Sequence, residues 1–347
     1  MQIKDKKIGI DHPTYIIAEL SGNHNQDFDL AVKTVYAMKE AGADAVKLQT
    51  YTADTITLDS EKPDFKTRAD SLWAGQKLHD LYKVAYTPWE WQPKLKQLAN
   101  DLGMHCFSSP FDPTSVDFLE KMNVPAYKIA SFEITDIPLI KYVASKGKPV
   151  IMSTGIADLS DIELAIAACH SVGNHQIALL KCTSAYPTPL EDAHLQNIPF
   201  LASKYNTIVG LSDHTLGTIV PITAVALGAR IVEKHFILDR NLGGVDSAFS
   251  LDATEFKEMV DSIRNVEKAL GQKDYFLPEK SKRAKVSARS LYISQDMKKG
   301  DVFTLDNVRS VRPAYGLHPQ YLEQVLGKKV TEDVDAATAL SWELVQG

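Results

Sequence analysis

The feature that most limits this chain is a repeat of short apolar or β-branched runs, each followed by an amphipathic stretch, from the N-terminus to Leu270. The runs lie at 15–18, 45–49, 105–108, 126–129, 149–153, 178–182, 208–211 and 230–234. Helix-period stretches lie at 30–41, 92–102, 115–122, 137–145, 160–171 and 218–227. Turn signals such as Ala-Gly-Ala-Asp, Leu-Gly-Met, Asn-Val-Pro and Lys-Gly-Lys-Pro precede several runs. Strict strand–helix alternation of this kind predicts an α/β fold with a parallel sheet, and eight strands predict a (β/α)8 TIM barrel. A doubly wound sheet is the alternative, but no Gly-x-Gly-x-x-Gly follows the first run.

A barrel places its chemistry just past the C-terminal ends of its strands. Polar residues sort in that way. The ends carry, in order, Glu19, Asn23 and His24; Lys47 and Gln49; Ser108 and Ser109; Lys128, Ser131 and Glu133; Ser153 and Thr154; Lys181, Thr183, Ser184 and Tyr186; Ser212, Asp213 and His214; and Glu233 and His235. The N-terminal ends read as turns and caps only. The long connection 51–86, which holds Trp73, reads as a lid over the mouth or as packing decoration.

The repeat stops after Leu270. Residues 1–275 are expected to form the barrel, 276–287 a basic, Pro-bearing linker, and 288–347 a small second domain. A unit of about 60 residues buries a marginal core, so it is expected to dock on something. The net charge of −6 gives nucleic acid no purchase. Three widely spaced cysteines make no disulfide framework and point to a cytoplasmic location. No signal-peptide core or membrane-length apolar run is present.

His214 and His235 end successive strands and should converge, which suits a divalent metal or general acid/base chemistry. Lys47 and Lys128 on strands need an anion to offset their lost hydration. With Ser109, Ser131, Ser153 and Ser212 they would form a cradle for a phosphate and a carboxylate. Each lysine–oxyanion pair is worth roughly 4 kcal/mol at ~4 Å and an effective dielectric of ~20, before desolvation. The competing reading is a lysine–glutamate network with Glu19, Glu133 and Glu233. Cys106 and Cys182 are read as packing residues facing the barrel. Lys181, on the sixth strand, leaves room for a Schiff-base aldolase.

Several motifs resemble the sialic acid synthase family, most closely its pseudaminic acid branch. They are Ile17-Ala-Glu-Leu-Ser-Gly-Asn-His24, Gly42-Ala-Asp-Ala-Val-Lys47, Phe107-Ser-Ser-Pro, Tyr127-Lys-Ile-Ala-Ser-Phe-Glu133, Met152-Ser-Thr-Gly155, Lys181-Cys-Thr-Ser-Ala-Tyr-Pro187, Gly210-Leu-Ser-Asp-His214 and Glu233-Lys-His-Phe236. Residues 288–347 resemble the antifreeze-like (SAF) domain of these enzymes through Arg289-Ser-Leu, Lys299-Gly-Asp, Val311-Arg-Pro and Gly316-Leu-His-Pro.

The resemblance implies metal-dependent condensation of phosphoenolpyruvate with an open-chain amino sugar. It implies Mn2+ or Mg2+ on His214 and His235, and Glu19 as acid/base. Phosphoenolpyruvate would be held by Lys47, Lys128, Ser131, Ser153 and Ser212, with Ser109 and Thr183. The sugar would meet Gln49, Glu133, Tyr186, Asp246 and Arg312. A domain-swapped homodimer is implied, with Arg312 reaching the partner's site. Glu19-Leu-Ser-Gly and Tyr315-Gly-Leu-His-Pro favour 2,4-diacetamido-2,4,6-trideoxy-altrose as acceptor. N-acetylneuraminate or legionaminic acid synthesis is the nearest alternative.

Overall fold

Eight parallel strands close into a barrel in sequence order: β1 Tyr15–Glu19, β2 Ala45–Thr50, β3 His105–Pro110, β4 Tyr127–Ile129, β5 Val150–Ser153, β6 Ile177–Lys181, β7 Ile208–Asp213 and β8 Ile231–His235. β8 pairs with β1, which removes both sheet edges. The computed structural model describes residues 1–68, 72–271 and 274–347. Two units are present, Met1–Gly271 and Gln272–Gly347.

A helix follows each strand: α1 Phe28–Glu40, α2 Gln92–Asp101, α3 Pro113–Lys121, α4 Ile137–Ala144, α5 Leu159–Ser171, α6 Asn197–Tyr205, α7 Ile219–Ala226 and α8 Ala253–Leu270. Capping is local. Asp27, Asp112, Asp136, Asp158 and Asp252 each accept from backbone N–H groups of the first turn of their helix. Side-chain parity then divides two environments. Lys47 and its register neighbours Glu19 and Phe107 point to the lumen. Val46, Leu48 and Cys106 point outward, into a cluster with Val35 and Met38 of α1 and Leu95 and Ala99 of α2. Cys106 therefore faces the helix layer and not the lumen. Each such large apolar side chain contributes about 1.5–3 kcal/mol on burial.

The lower end of the barrel is more than turns and caps. The Tyr15 hydroxyl lies 2.8 Å from His105 Nδ1, and His105 Nε2 lies 2.8 Å from Asp5. A short N-terminal hairpin, Gln2–Ile3 with Lys6–Lys7, supplies Asp5 and buries Ile3 and Ile8.

The connection 51–86 carries short helices at Ala53–Ile56 and Leu78–Ala85, and its residues 69–71 lie outside the described ones. Trp73 donates its indole N–H to the Val245 carbonyl, 3.2 Å away, in the loop after β8. The segment thus reaches across the mouth.

The second unit has its own core. β9 Ser290–Ile293 pairs antiparallel with β10 Val308–Val311, and Leu291, Ile293, Phe303, Val308, Val330 and Leu340 are buried together. The stretch before it is not plain coil, since Glu279–Ala284 is helical.

Candidate active site

At the mouth, a charge network spans four strands. Glu233 on β8 takes Lys47 of β2 at 3.0 Å, Lys128 of β4 at 3.2 Å and the Ser212 hydroxyl of β7 at 3.1 Å, all on the same carboxylate oxygen. Lys47 also lies 2.5 Å from Glu19 of β1. Glu19 is fully buried and accepts the Ser21 N–H at 3.2 Å. Burial opposes the Glu233 charge, but Lys128 and Lys47 outweigh it and hold that carboxyl down at about 2. Burial pushes Lys47 down to about 7, against the pull of Glu233.

The lysine–glutamate network is therefore present, but it does not use the cradle's hydroxyls fully. Ser109 Oγ, Ser153 Oγ and Glu233 Oε2 are buried with no hydrogen-bond partner among the described residues. An unpaired buried hydroxyl costs about 1–3 kcal/mol, so these atoms mark where a polar ligand restores balance. Ser131 Oγ accepts the Gly155 N–H at 3.1 Å. A Cβ on Gly155 would stand 2.6 Å from Ser131 Oγ and 2.3 Å from Ser184 Oγ. Gly155 is thus a site residue that the reading of polar groups missed; the Met-Ser-Thr-Gly motif was its signal. Thr183 turns away: its hydroxyl receives Lys181 Nζ at 2.7 Å and donates to the Asp192 carbonyl at 2.9 Å.

The two imidazoles do meet, with ring centroids 5.4 Å apart. His214 Nδ1 lies 3.0 Å from the Thr183 carbonyl, so Nδ1 carries a proton and Nε2 is the nitrogen left to face a ligand. His235 Nδ1 is buried and has no hydrogen-bond partner; Asp246 Oδ2 lies 3.8 Å from it and accepts from Ser21. Burial pushes the His235 pKa well down, leaving a neutral ring with one ring-nitrogen lone pair to give. These donors fit a divalent cation. Among the described residues no cluster of three or more His, Cys, Asp or Glu side chains is arranged to hold one, so a cation here would rely on two imidazoles and on non-protein ligands. Cys182 does face the site, with Sγ 3.8 Å from His214 Nδ1.

The Tyr186 ring lies tilted against His214, with centroids 4.4 Å apart, and its centroid is 6.2 Å from that of Trp73. Gln49 and Glu133 are half-buried at the rim. Burial raises Glu133 to about 7, with Lys128 pulling the other way. Arg312 is exposed in the second unit, after β10. Lys181 is not placed for Schiff-base chemistry. Its Nζ donates to the Cys182 carbonyl and to Thr183 Oγ1, each at 2.7 Å, and parity with lumen-facing Cys182 puts it on the other side of the wall. Lys234 likewise faces outward, against Asp213 at 2.6 Å.

Comparison with known proteins adds the following. A NeuB family model matches residues 34–275 and a SAF domain model matches residues 288–346. Pseudaminic acid synthase of Campylobacter jejuni subsp. jejuni (strain 81-176) is 47% identical over 330 residues, covering 95% of this chain and 96% of the relative. Pseudaminic acid synthase of Helicobacter pylori is 45% identical, covering 95% and 97%. The crystal structure of N-acetylneuraminic acid synthetase from Leptospira borgpetersenii, in complex with citrate, superposes with a TM-score of 0.74 at 31% identity, covering 82% of this chain and 94% of that one.

Proposed function

The chain belongs to the NeuB family, and from that premise we propose that it condenses phosphoenolpyruvate with 2,4-diacetamido-2,4,6-trideoxy-β-L-altrose to give pseudaminic acid and phosphate. The observation that carries the reading is near-full-length identity of 45% and 47% to two pseudaminic acid synthases. The chemistry at the mouth agrees with it. C3 of the enolpyruvate attacks the aldehyde carbon, and the aldehyde oxygen takes a proton. Water adds at C2 and loses a proton. The C2–O bond then breaks and phosphate leaves.

Each demand has a residue. Lys47, Lys128, Ser109, Ser131, Ser153 and Ser212 bind phosphoenolpyruvate. The ligand's anionic groups take over the two ammonium groups that Glu233 holds when the cradle is bare, and they supply acceptors for Ser109 and Ser153. Thr183 orients His214 through its backbone carbonyl. Glu19, beside Lys47 and inside the lumen, moves the proton at the reacting carbons. Gln49, Glu133, Tyr186 and Asp246 line the sugar's path. His214 and His235 hold a Mn2+ or Mg2+ ion, which when bound supplies Lewis acidity at the aldehyde oxygen.

The loops after β4, β5, β6 and β7 expose Phe132, Ile156, Leu190 and Leu216, apolar surface that suits a second copy of the chain. In that homodimer Arg312 serves the partner's sugar site. All three cysteines are free and buried, which supports a reducing, cytoplasmic setting.

The test is phosphate release from phosphoenolpyruvate with three sugars: the diacetamido altrose, the precursor of legionaminic acid, and N-acetylmannosamine. The altrose should give the highest kcat/KM. A higher value with either other sugar would reassign the acceptor.

A further inference from the structure

A cavity of about 530 Å³ lies beside the site, walled by Gly22 of the β1 loop, Leu72, Trp73 and Val84 of the 51–86 connection, and Val245 and Ala248 of the β8 loop. Its size is within the usual range for small-molecule sites. None of its described lining residues is charged. Its polar walls are Asn25 and Gln26. The Asn25 amide donates to the Leu242 and Gly243 carbonyls at 3.1 and 3.3 Å, and the Gln26 amide to the Val84 and Tyr86 carbonyls at 3.1 and 2.6 Å. With their NH2 groups spent, both side chains face a ligand only as acceptors. Trp73 has likewise given its N–H to Val245. The cavity therefore suits a neutral group that pairs an apolar end with an N–H donor.

The cavity also adjoins the chemistry. Gly22 and Val245 flank Ser21 and Asp246, which hydrogen-bond to each other, and Asp246 lies 3.8 Å from His235. Trp73 stands 6.2 Å from Tyr186. A Cβ on Gly22 would come within 2.5 Å of Val245 Cγ2 and 3.1 Å of the Ala85 carbonyl, so this wall has no room for a larger residue.

We infer that this cavity is the subsite for the acylamino group remote from the sugar aldehyde, and that it selects a diacylamino sugar over a monoacylamino one. The inference rests on the acceptor proposed above. An acylamino group brings both the methyl and the N–H; a hydroxyl in its place would leave apolar walls against a polar group.

The test uses two filling variants from opposite walls, Ala248→Phe and Val84→Phe. Both positions are exposed, so the barrel should fold in each. Steady-state phosphate release should show KM for the diacetamido sugar raised tenfold or more, with KM for phosphoenolpyruvate unchanged. A sugar with hydroxyl in place of the remote acetamido group should bind the wild type at least tenfold more weakly and be indifferent to filling. Wild-type KM for the diacetamido sugar in both variants would overturn the inference, as would equal losses with both sugars. If the wild type instead turns over a different acylamino sugar and not the altrose, the functional proposal fails. The cavity is then judged by the same variants on that sugar, and an unchanged KM overturns it.

Discussion

Glu19 and Glu133 are two carboxylates at one mouth in opposite circumstances. Glu19 is fully buried and lies against Lys47, so its charge is compensated and its geometry fixed. Glu19→Gln keeps the shape and removes the carboxylate proposed as acid/base. kcat should fall by roughly 10²–10⁴, the usual size of a general acid/base contribution, with KM for phosphoenolpyruvate little changed. Unaltered turnover would remove Glu19 from the mechanism. Glu133 is desolvated, and Lys128 offsets that only in part: its Oε2 has no hydrogen-bond partner, and burial raises its pKa to about 7 from an ordinary 4.5. Between those values the folded chain holds a proton that the unfolded chain has released, so stability falls as pH rises from 4.5 to 7. The cost is complete above about 7 and absent below about 4.5. Glu133→Gln should therefore stabilise the ligand-free protein by at most roughly 3 kcal/mol above pH ~7 and by nothing near pH ~4. Chemical denaturation at several pH values checks this; a gain independent of pH would show that the carboxyl is not the cause.

The βα unit explains why so much of the frame was legible and where legibility ended. Each strand is a short apolar run between turn signals, and all eight were visible because the barrel buries both faces of every strand. α6 and α8 were not singled out. α8 is rich in charge, yet Asp252 and Glu255 form a capping box at its start, and that pair was its available signal. Parity within a strand was the harder matter. Lys181 and Cys182 are neighbours at the end of β6, and only the contact of Cys182 with His214 decides which of them faces the lumen. The bidding of Lys47 and Lys128 for one Glu233 oxygen joins β2, β4 and β8, and no local pattern carries such a contact. Gly155 shows what a strand-end position demands. With Cβ, it would press on Ser184, Ser131 and Cys182 at 2.3, 2.6 and 3.1 Å. Gly155→Ala should fold, at an overpacking cost of about 1–3 kcal/mol. It should also raise KM for phosphoenolpyruvate tenfold or more, because Ser131 must shift. A wild-type KM would mean that the β5 loop relaxes without moving the cradle.

On the scale of the whole molecule, the question is how the second unit takes part. It has a core of its own built on β9 and β10, and it presents Arg312 exposed. The chain before it, 276–287, is helical over Glu279–Ala284 and again over Lys285–Ser287. At 1.5–2 Å per residue in the helical turns and ~3.4 Å elsewhere, this segment reaches roughly 25 Å, shorter than a fully extended chain. A guanidinium suits an amide carbonyl of the sugar, since it donates several fixed hydrogen bonds and stays charged. In the proposed homodimer each active site combines His214 and His235 of one barrel with Arg312 of the other chain. Arg312→Ala and His235→Ala should each be inactive alone. Mixed and allowed to exchange subunits, they should recover activity, because one site in each heterodimer then has both groups intact. With random exchange, half the dimers are mixed and each carries one good site of two, so recovery should approach about one quarter of wild-type activity, the ceiling for shared sites. Heterodimers verified by differential tagging that show no recovery would mean that Arg312 acts within its own subunit or takes no part.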